Sequence, residues 1–317
     1  MKNKGLLMLS AFLALSASLT GCGKNGKKTI GICQLVTHDA LDAATEGFKK
    51  AVIDGLGADN VVFDYQNADL DLNACSTIVN SFVSKNVDLI MANATPALQA
   101  AYNATTTIPI LGTSITEYGV ALGIKDFNGV TNMNVSGTSD LAPLSEQAQM
   151  IVDVFPNTQK VGILYCSGEA NSKYQVDVIK SELEQKNLQV SVMSFTDSND
   201  LPTILRGGIS GIDVLYIPTD NTCASNALTI DSICQERNIP VVAGEEGLCK
   251  ECGAITLSIS YYNIGLKTGQ MAVEILKNGA DIKTMPIAYD TNPVKKYNAE
   301  ICQRLGITVP SGYSPIE

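Results

Sequence analysis

The chain has 317 residues, with 22 Lys and Arg against 32 Asp and Glu, so its formal net charge is −10. This length fits two domains of ordinary size rather than one small core. The acidic balance excludes nucleic acid as a natural partner, because neutralising phosphates requires Lys and Arg. The chain has one histidine, His38, which argues against a His-based catalytic triad or a multi-histidine metal site. We therefore expect a protein that is not an enzyme and needs no metal or cofactor.

Residues 1–21 have the pattern of a secretory signal peptide. Lys2 and Lys4 precede an apolar stretch at 6–19, which is too short to span a bilayer comfortably. The stretch ends in Leu-Thr-Gly-Cys, the lipobox pattern of bacterial lipoproteins, with Cys22 as the lipid acceptor. An ordinary secretory peptide with an incidental cysteine is the alternative. Residues 22–28 are typical of a flexible tether, so we expect a folded part held by lipid on the extracellular face of the cell membrane.

From residue 29 onward, short apolar runs alternate with helical patterns. The patterns predict strands at 29–36, 61–65, 87–91 and 108–111, and helices at 41–56, at 72–84 and from Thr95 onward. Thr95 followed by Pro96 is a favourable helix start. This βαβαβαβ order is typical of a parallel sheet with helices on both faces.

The same order returns in the second half of the chain. Its patterns predict strands at 160–165, 190–195, 214–217 and 239–242, and helices at 173–186 and 222–237. Two such units favour two Rossmann-like lobes, with a single large doubly wound domain as the alternative. The fold class is therefore α/β, with two parallel sheets flanked by helices.

Three chain crossovers are expected to join the lobes. A strand at 129–134 leaves the first lobe, and a helix at 141–155 begins the second. A strand at 254–260 precedes a returning helix at 262–277, and residues 285–289 form the third crossing. The predicted lobe 1 is 29–130 with 261–289, and the predicted lobe 2 is 131–260 with 290–317. Closure about such a hinge traps a ligand between lobes.

The loops after the strands carry the candidate binding residues. Ligands of open α/β sheets bind beyond the carboxyl ends of the strands. These loops combine hydroxyls, amides and acids beside helix starts, which suits a zwitterion. The alternative is that these side chains are ordinary loop caps. The candidates are Gln34, Thr95, Thr116, Glu117, Tyr118, Glu169, Asn171, Asp220, Asn221 and Glu246.

His38 and the cysteines have less specific patterns. We expect His38 to make a cap or a polar contact, because no nucleophile motif accompanies it. Apart from Cys22, eight cysteines remain, and their pairing cannot be read from spacing. Cys249 and Cys252 form a lone CxxC in a predicted loop, which is a weak zinc signal and favours a local disulfide or free thiols.

Several stretches resemble a known family. Residues 36–42, 93–97, 168–172, 218–222 and 262–265, with the lipobox, resemble ABC-transporter substrate-binding lipoproteins of the TrpX-like, aromatic amino acid group. The similarity runs over essentially the whole mature chain. Where this family usually has Val-Thr-Asp-Pro, this chain has Ile115-Thr116-Glu117-Tyr118, a departure that favours tyrosine over tryptophan.

The resemblance implies a type I periplasmic-binding-protein-like fold and a monomeric extracellular protein that hands an aromatic amino acid to an ABC permease. It implies that Thr95 and Thr116 hold the ligand backbone and that Glu117, Asp220 or Glu246 pairs with the ammonium. Asn171 and Asn221 would complete the polar shell. The chain also resembles clostridial tyrosine-binding surface lipoproteins, so a surface adhesin that contacts a host surface is the alternative. An extracellular enzyme on the same scaffold is a third reading, without an identifiable nucleophile–base pair.

Overall fold

Two mostly parallel sheets, each covered by helices, make up the computed structural model, which describes residues 26–290 and 292–316. The predicted signal peptide, the lipobox and Cys22 lie outside these residues. None of the helices in the described part combines the length and apolar character needed to cross a membrane.

The elements alternate along the chain as the periodicity predicts. The strands are β1 (Lys28–Gln34), β2 (Val61–Asn67), β3 (Leu89–Asn93), β4 (Ile110–Ile115), β5 (Val135–Ser139), β6 (Lys160–Cys166), β7 (Gln189–Phe195), β8 (Val214–Ile217), β9 (Val241–Ala243), β10 (Ile255–Ser258), β11 (Ala288–Tyr289), β12 (Val294–Tyr297) and β13 (Ser314–Pro315). The helices are α1 (Asp39–Leu56), α2 (Leu72–Ser84), α3 (Thr95–Ala104), α4 (Tyr118–Leu122), α5 (Leu144–Val154), α6 (Ala170–Gln185), α7 (Leu201–Gly208), α8 (Asn221–Ala224), α9 (Ala227–Gln235), α10 (Glu246–Glu251), α11 (Tyr261–Asn278) and α12 (Ala299–Leu305).

The first sheet has the strand order β11-β5-β4-β3-β1-β2, and the second has β13-β12-β10-β9-β8-β6-β7. We call each sheet with its helices a lobe, lobe 1 and lobe 2. All neighbours are parallel except β10 and β12, because β10 runs toward the second crossover and β12 starts from the third. Central strands such as β3 and β8 are buried along their whole length, as sheets covered on both faces require.

Helix α11 returns from lobe 2 and packs directly on α1 of lobe 1. A Cβ added to Gly265 would lie 2.0 Å from the Ala44 carbonyl oxygen, and one added to Gly47 would lie 2.2 Å from the Tyr262 carbonyl oxygen. The two backbones therefore touch, which only glycine permits at these positions. This contact sets where α11 begins, and so where Tyr261 lies relative to the space between the lobes.

The predicted strand at 129–134 is wrong. Residues in this segment bond their own backbone, since the Asn128 side chain accepts from the Val130 N–H and the Thr131 hydroxyl accepts from the Met133 N–H. Such local bonds compete with a sheet ladder. The strand begins instead at Val135, which pairs with Ile110. Because β5 lies in the first sheet, the predicted start of lobe 2 at residue 131 is wrong as well.

The predicted helix at 222–237 is two helices. α8 ends at Ala224 and α9 begins at Ala227. The Asn226 side chain bonds back to the Thr222 carbonyl, which occupies a carbonyl that a continuous helix would pair with a backbone N–H. The break lets the first turn of α8 point at the cleft between the lobes.

Candidate ligand-binding cleft

A small cavity lies between the two lobes. It is lined by His38, Leu41, Ser114, Asp140, Asn171, Thr219, Asp220, Asn221, Ala224, Glu245 and Tyr261. Most of these residues follow the carboxyl end of a strand, the edge at which open α/β sheets bind ligands. Its volume is about 10 Å³, which is room for one water molecule, so a larger ligand enters only when the lobes move apart.

Lobe 1 presents two strained residues at the ends of its central strands. Ser114 has φ +57° at the irregularity where β4 shifts register against β5, and Ala94 has φ +86° just before α3. Non-glycine residues with such angles cost about 1–3 kcal/mol and cluster at ligand sites. The Ser114 hydroxyl lines the cavity and, within the described residues, has no hydrogen-bond partner.

Asp140 and Tyr261 bring two crossovers together at the cavity. Asp140 directly follows β5, and Tyr261 begins α11. The Tyr261 hydroxyl donates to Asp140 Oδ2 at 2.8 Å, whereas Asp140 Oδ1 has no partner in the described part of the chain. Burial raises the pKa of Asp140, and hydrogen bonds from the Tyr261 and Thr116 side chains counteract part of that rise. This carboxylate therefore lacks a counter-charge.

The wall of lobe 2 is organised around Glu169. Its carboxylate accepts from the backbone N–H and side-chain amide of Asn221, at 3.1 and 2.6 Å, and from the N–H and hydroxyl of Thr222, at 2.8 and 2.7 Å. It also accepts from the Asn171 amide at 3.1 Å. With five donors, Glu169 is a positioning group. Asn171 Oδ1 has no partner among the described residues and lines the cavity.

Two further acids in the cavity wall cap helices. Asp220 accepts from the backbone N–H groups of Cys166 and Cys223 at 2.7 and 2.8 Å, and Glu245 accepts from the first turn of α10. Burial, with nearby Glu169, raises the pKa of Asp220 to about 7, and burial raises the pKa of Glu245 to about 7. Both carboxylates are committed to helix N-termini, unlike Asp140.

The lobes also touch at the mouth of the cleft. His38 at the start of α1 donates from Nε2 to Asn221 Oδ1 at 3.2 Å, and burial lowers the pKa of His38. Lys250 of α10 reaches Asp39 of α1 at 3.3 Å. His38 therefore makes a polar contact across the cleft, in agreement with the sequence interpretation.

The structure places the sequence-predicted residues of lobe 2 at the cleft, with one exception. Asn171, Asp220 and Asn221 line the cavity, and Glu169 orders them. Glu246 instead faces the outer rim, where it accepts from Lys296 at 2.8 Å, so it does not reach the cavity.

The predicted residues of lobe 1 lie mostly around the cavity rather than on it. Gln34 is buried under α1, where it donates to Asp42 and accepts from Thr45. Thr95 begins α3 outside the cavity lining, and Thr116 is buried against Asp140.

The two residues that replace the usual Asp-Pro have structural roles. Glu117 caps α4 by accepting from the Val120 N–H. Tyr118 is 1% exposed in the core of lobe 1 and donates to the Thr138 carbonyl at 3.1 Å. Because Tyr118 belongs to the buried core of lobe 1, it does not line the cavity, and its prediction as a binding residue does not fit this position.

Sequence reasoning missed Asp140 and Ser114, and it did not select Tyr261. Asp140 is a polar residue directly after an apolar strand, which is a recognisable signal. The predicted strand at 129–134, however, ends five residues before the observed β5. The signal for Ser114 was weaker, since only the tertiary structure shows that its backbone bulges toward the cleft.

All eight cysteines between 26 and 316 are free and buried. Cys249 lies inside α10 and Cys252 directly after it, so the placement of this CxxC in a loop is wrong. In the described part of the chain, no group of three or more His, Cys, Asp and Glu side chains is placed to hold a metal ion.

Residues 29–314 match the family model of ABC transporter substrate binding proteins. The chain belongs to this family. As an ABC substrate-binding protein, it binds a solute for transport and is not an enzyme. Among curated proteins it is 35% identical to a "Tyrosine-binding protein" of Clostridioides difficile, over 90% of this chain and 88% of that one.

Two solved structures, one with a bound ligand and one without, are similar to this chain. A Streptococcus pneumoniae protein in complex with L-Trp matches with a TM-score of 0.87 at 29% identity, covering 92% of this chain and all of the other. A ligand-free, open substrate-binding protein with adhesive properties from Clostridium difficile matches with a TM-score of only 0.70 at 37% identity, over 92% and 99%. In this ABC substrate-binding protein the His38–Asn221 and Lys250–Asp39 contacts across the cleft hold the lobes closed, and the neighbour that is open has the lower TM-score of the two.

Proposed function

We propose that this chain captures an aromatic amino acid, tyrosine foremost, outside the cell and delivers it to an ABC permease. The observation that carries the proposal is the convergence of three buried, unpartnered polar atoms on one closed cavity: Ser114 Oγ, Asp140 Oδ1 and Asn171 Oδ1. Buried polar groups without partners are rare in folded proteins. A bound ligand would supply those partners.

The chemistry of these atoms matches an amino acid. The oxygens of Asp140 and Asn171 accept hydrogen bonds and suit an ammonium group. The Ser114 hydroxyl suits a carboxylate. Leu41 and Ala224 supply apolar wall for a side chain. The relative named for tyrosine binding and the neighbour bound to L-Trp support an aromatic one.

The lipobox supports lipid anchoring at Cys22, with residues 22–28 as the tether of a monomeric protein. The anchor is tested by replacing Cys22 with Ala. The variant should appear in the culture medium and lose incorporated fatty acid, whereas an unchanged membrane fraction would contradict the anchor.

Titration calorimetry with the twenty amino acids tests the ligand. We expect heats of binding for tyrosine and, more weakly, for tryptophan or phenylalanine, and we expect Asp140→Asn to weaken binding at least tenfold. Asp153→Asn is the matched control, because Asp153 is exposed on α5 away from the cleft. Binding of a sugar with no response to aromatic amino acids would refute the proposal.

A role in adhesion is the second candidate, favoured by one observation. The solved structure at 37% identity is described as having adhesive properties. Deleting the gene would then lower attachment to a host surface while leaving tyrosine uptake intact. Loss of uptake with unchanged attachment would leave transport as the function.

A further inference from the structure

The charge of the cavity wall is one-sided. Three acids line it, Asp140, Asp220 and Glu245, and neither Lys nor Arg is among the described residues that do. The two helix caps, Asp220 and Glu245, each face backbone N–H groups that offset their charge. Asp140 alone has a carboxylate oxygen without a partner.

Asp140 is only 3% exposed, so water does little to solvate its charge. An uncompensated buried carboxylate is costly, and an ammonium within contact distance removes most of that cost. Asn171 Oδ1, which is also buried and unpartnered, offers the same ammonium a second acceptor. These two unpartnered oxygens therefore favour a ligand with a cationic donor group.

A ligand carboxylate in this cavity has fewer favourable partners than a ligand ammonium group. The lining side chains offer it the unpartnered Ser114 hydroxyl, without a guanidinium or ammonium to pair with it. It also comes close to the carboxyl groups of Asp140, Asp220 and Glu245, each of which repels it when ionised. Neutral hydrogen bonds contribute roughly half of what charge-assisted bonds do.

We infer that the ammonium group, and not the carboxylate, is the main determinant of affinity in this cleft, so that the site also accepts aromatic amines. The inference rests on the proposed function for the identity of the ring, but it concerns which end of the ligand is recognised. The class of additional ligand is a primary arylalkylamine, with tyramine as the representative.

The position of Asp140 ties this recognition to closure. Asp140 lies in the first crossover and Tyr261 at the end of the second, joined by their hydrogen bond. The Ser260 N–H, in the second crossover, lies 3.3 Å from Asp290 Oδ2 at the third. An ammonium that neutralises Asp140 therefore acts where all three hinge segments meet, and a ligand without an ammonium leaves the charge at the hinge unpaired.

The test is a calorimetric comparison of three ligands on the wild-type chain: L-tyrosine, tyramine, and 3-(4-hydroxyphenyl)propionate. Removing the ammonium should weaken binding at least tenfold more than removing the carboxylate. In Asp140→Asn, the preference for tyrosine over the propionate should shrink at least tenfold, while Asp153→Asn should leave it unchanged.

The outcomes separate the two proposals. An equal or larger loss for tyramine than for the propionate overturns the inference and leaves tyrosine capture intact. Binding of tyramine without binding of any amino acid upholds the inference and overturns the proposed function. If none of the three ligands gives a heat of binding, and no other aromatic amine binds, both the inference and the proposed function are overturned. If Asp140→Asn fails to fold, the wild-type series decides alone.

Discussion

Gly247 offers a way to hold the lobes apart without touching the cavity. It lies in the first turn of α10, and a Cβ added there would come 3.0 Å from Asp39 Cβ and 3.4 Å from the Ala40 nitrogen, both on lobe 1. These contacts exist only when the lobes are closed. Gly247→Val should therefore penalise the closed state and leave the open state free of the clash.

The size of the effect follows from the packing. Overpacking a tight contact costs about 1–3 kcal/mol, and each 1.36 kcal/mol is tenfold in an equilibrium constant. If ligand binding requires closure, the Kd for the amino acid should rise about 5- to 150-fold. The thermal midpoint of the ligand-free protein should move little.

Two further variants sharpen the assay, which is calorimetry combined with small-angle scattering. Gly207→Val is the control, because a Cβ at Gly207 meets nothing within 4 Å. Adding Asp39→Gly to the Gly247→Val variant removes the atom on the opposite side and should restore most of the affinity. The added Cβ also lies 3.1 Å from Glu245 Oε2, and Asp39→Gly removes the Lys250–Asp39 contact. The double variant is therefore compared with Asp39→Gly alone, and equal Kd values in the two would show that the Glu245 contact has no effect. An unchanged Kd in Gly247→Val would refute the coupling of binding to closure.

Four other predictions concern the buried acids. Burial raises the pKa of Asp140. The Kd for an ammonium ligand should therefore fall as the pH rises through that pKa and then level off. A Kd that stays constant from pH 4 to 9 would contradict the role of Asp140. Tyr261→Phe removes a charged hydrogen bond that contributes about 1.5–3 kcal/mol and should shift that profile upward by about 1–2 pH units, with a downward shift as the refuting result. The folded-state pKa values of Asp220 and Glu245, about 7 each, exceed the unfolded values. The free energy of unfolding of the ligand-free chain should therefore decrease from about pH 4 to 7, which urea titrations at several pH values would check. Glu169→Gln replaces one acceptor oxygen with an NH2 group that faces the N–H donors around it. It should lower the free energy of unfolding by about 1–3 kcal/mol, measured by the same urea titrations.

Much of the fold of this protein, and part of its cleft, can be predicted from local sequence patterns. Alternating apolar runs and helical patterns indicate two repeated α/β halves, and the sheets confirm this arrangement. The interpretation of residues 169–171 and 220–221 as cleft residues also rested on local features, since each follows a buried strand and starts a helix. Strand periodicity and helix starts depend on neighbouring residues, which is why they can be read without the fold.

The tertiary structure alone decided which polar groups are left for a ligand. Asp220 and Asp140 look alike in sequence, as acids after a strand, yet Asp220 has both oxygens occupied by backbone N–H groups while Asp140 keeps one oxygen unpartnered. Tyr118 is a candidate binding residue in the sequence, yet the structure buries it in the core of lobe 1. Hydrogen bonds between residues more than a hundred positions apart, such as Tyr261 to Asp140, settle these questions. No local pattern encodes them, because each depends on how the two lobes and their crossovers pack against one another.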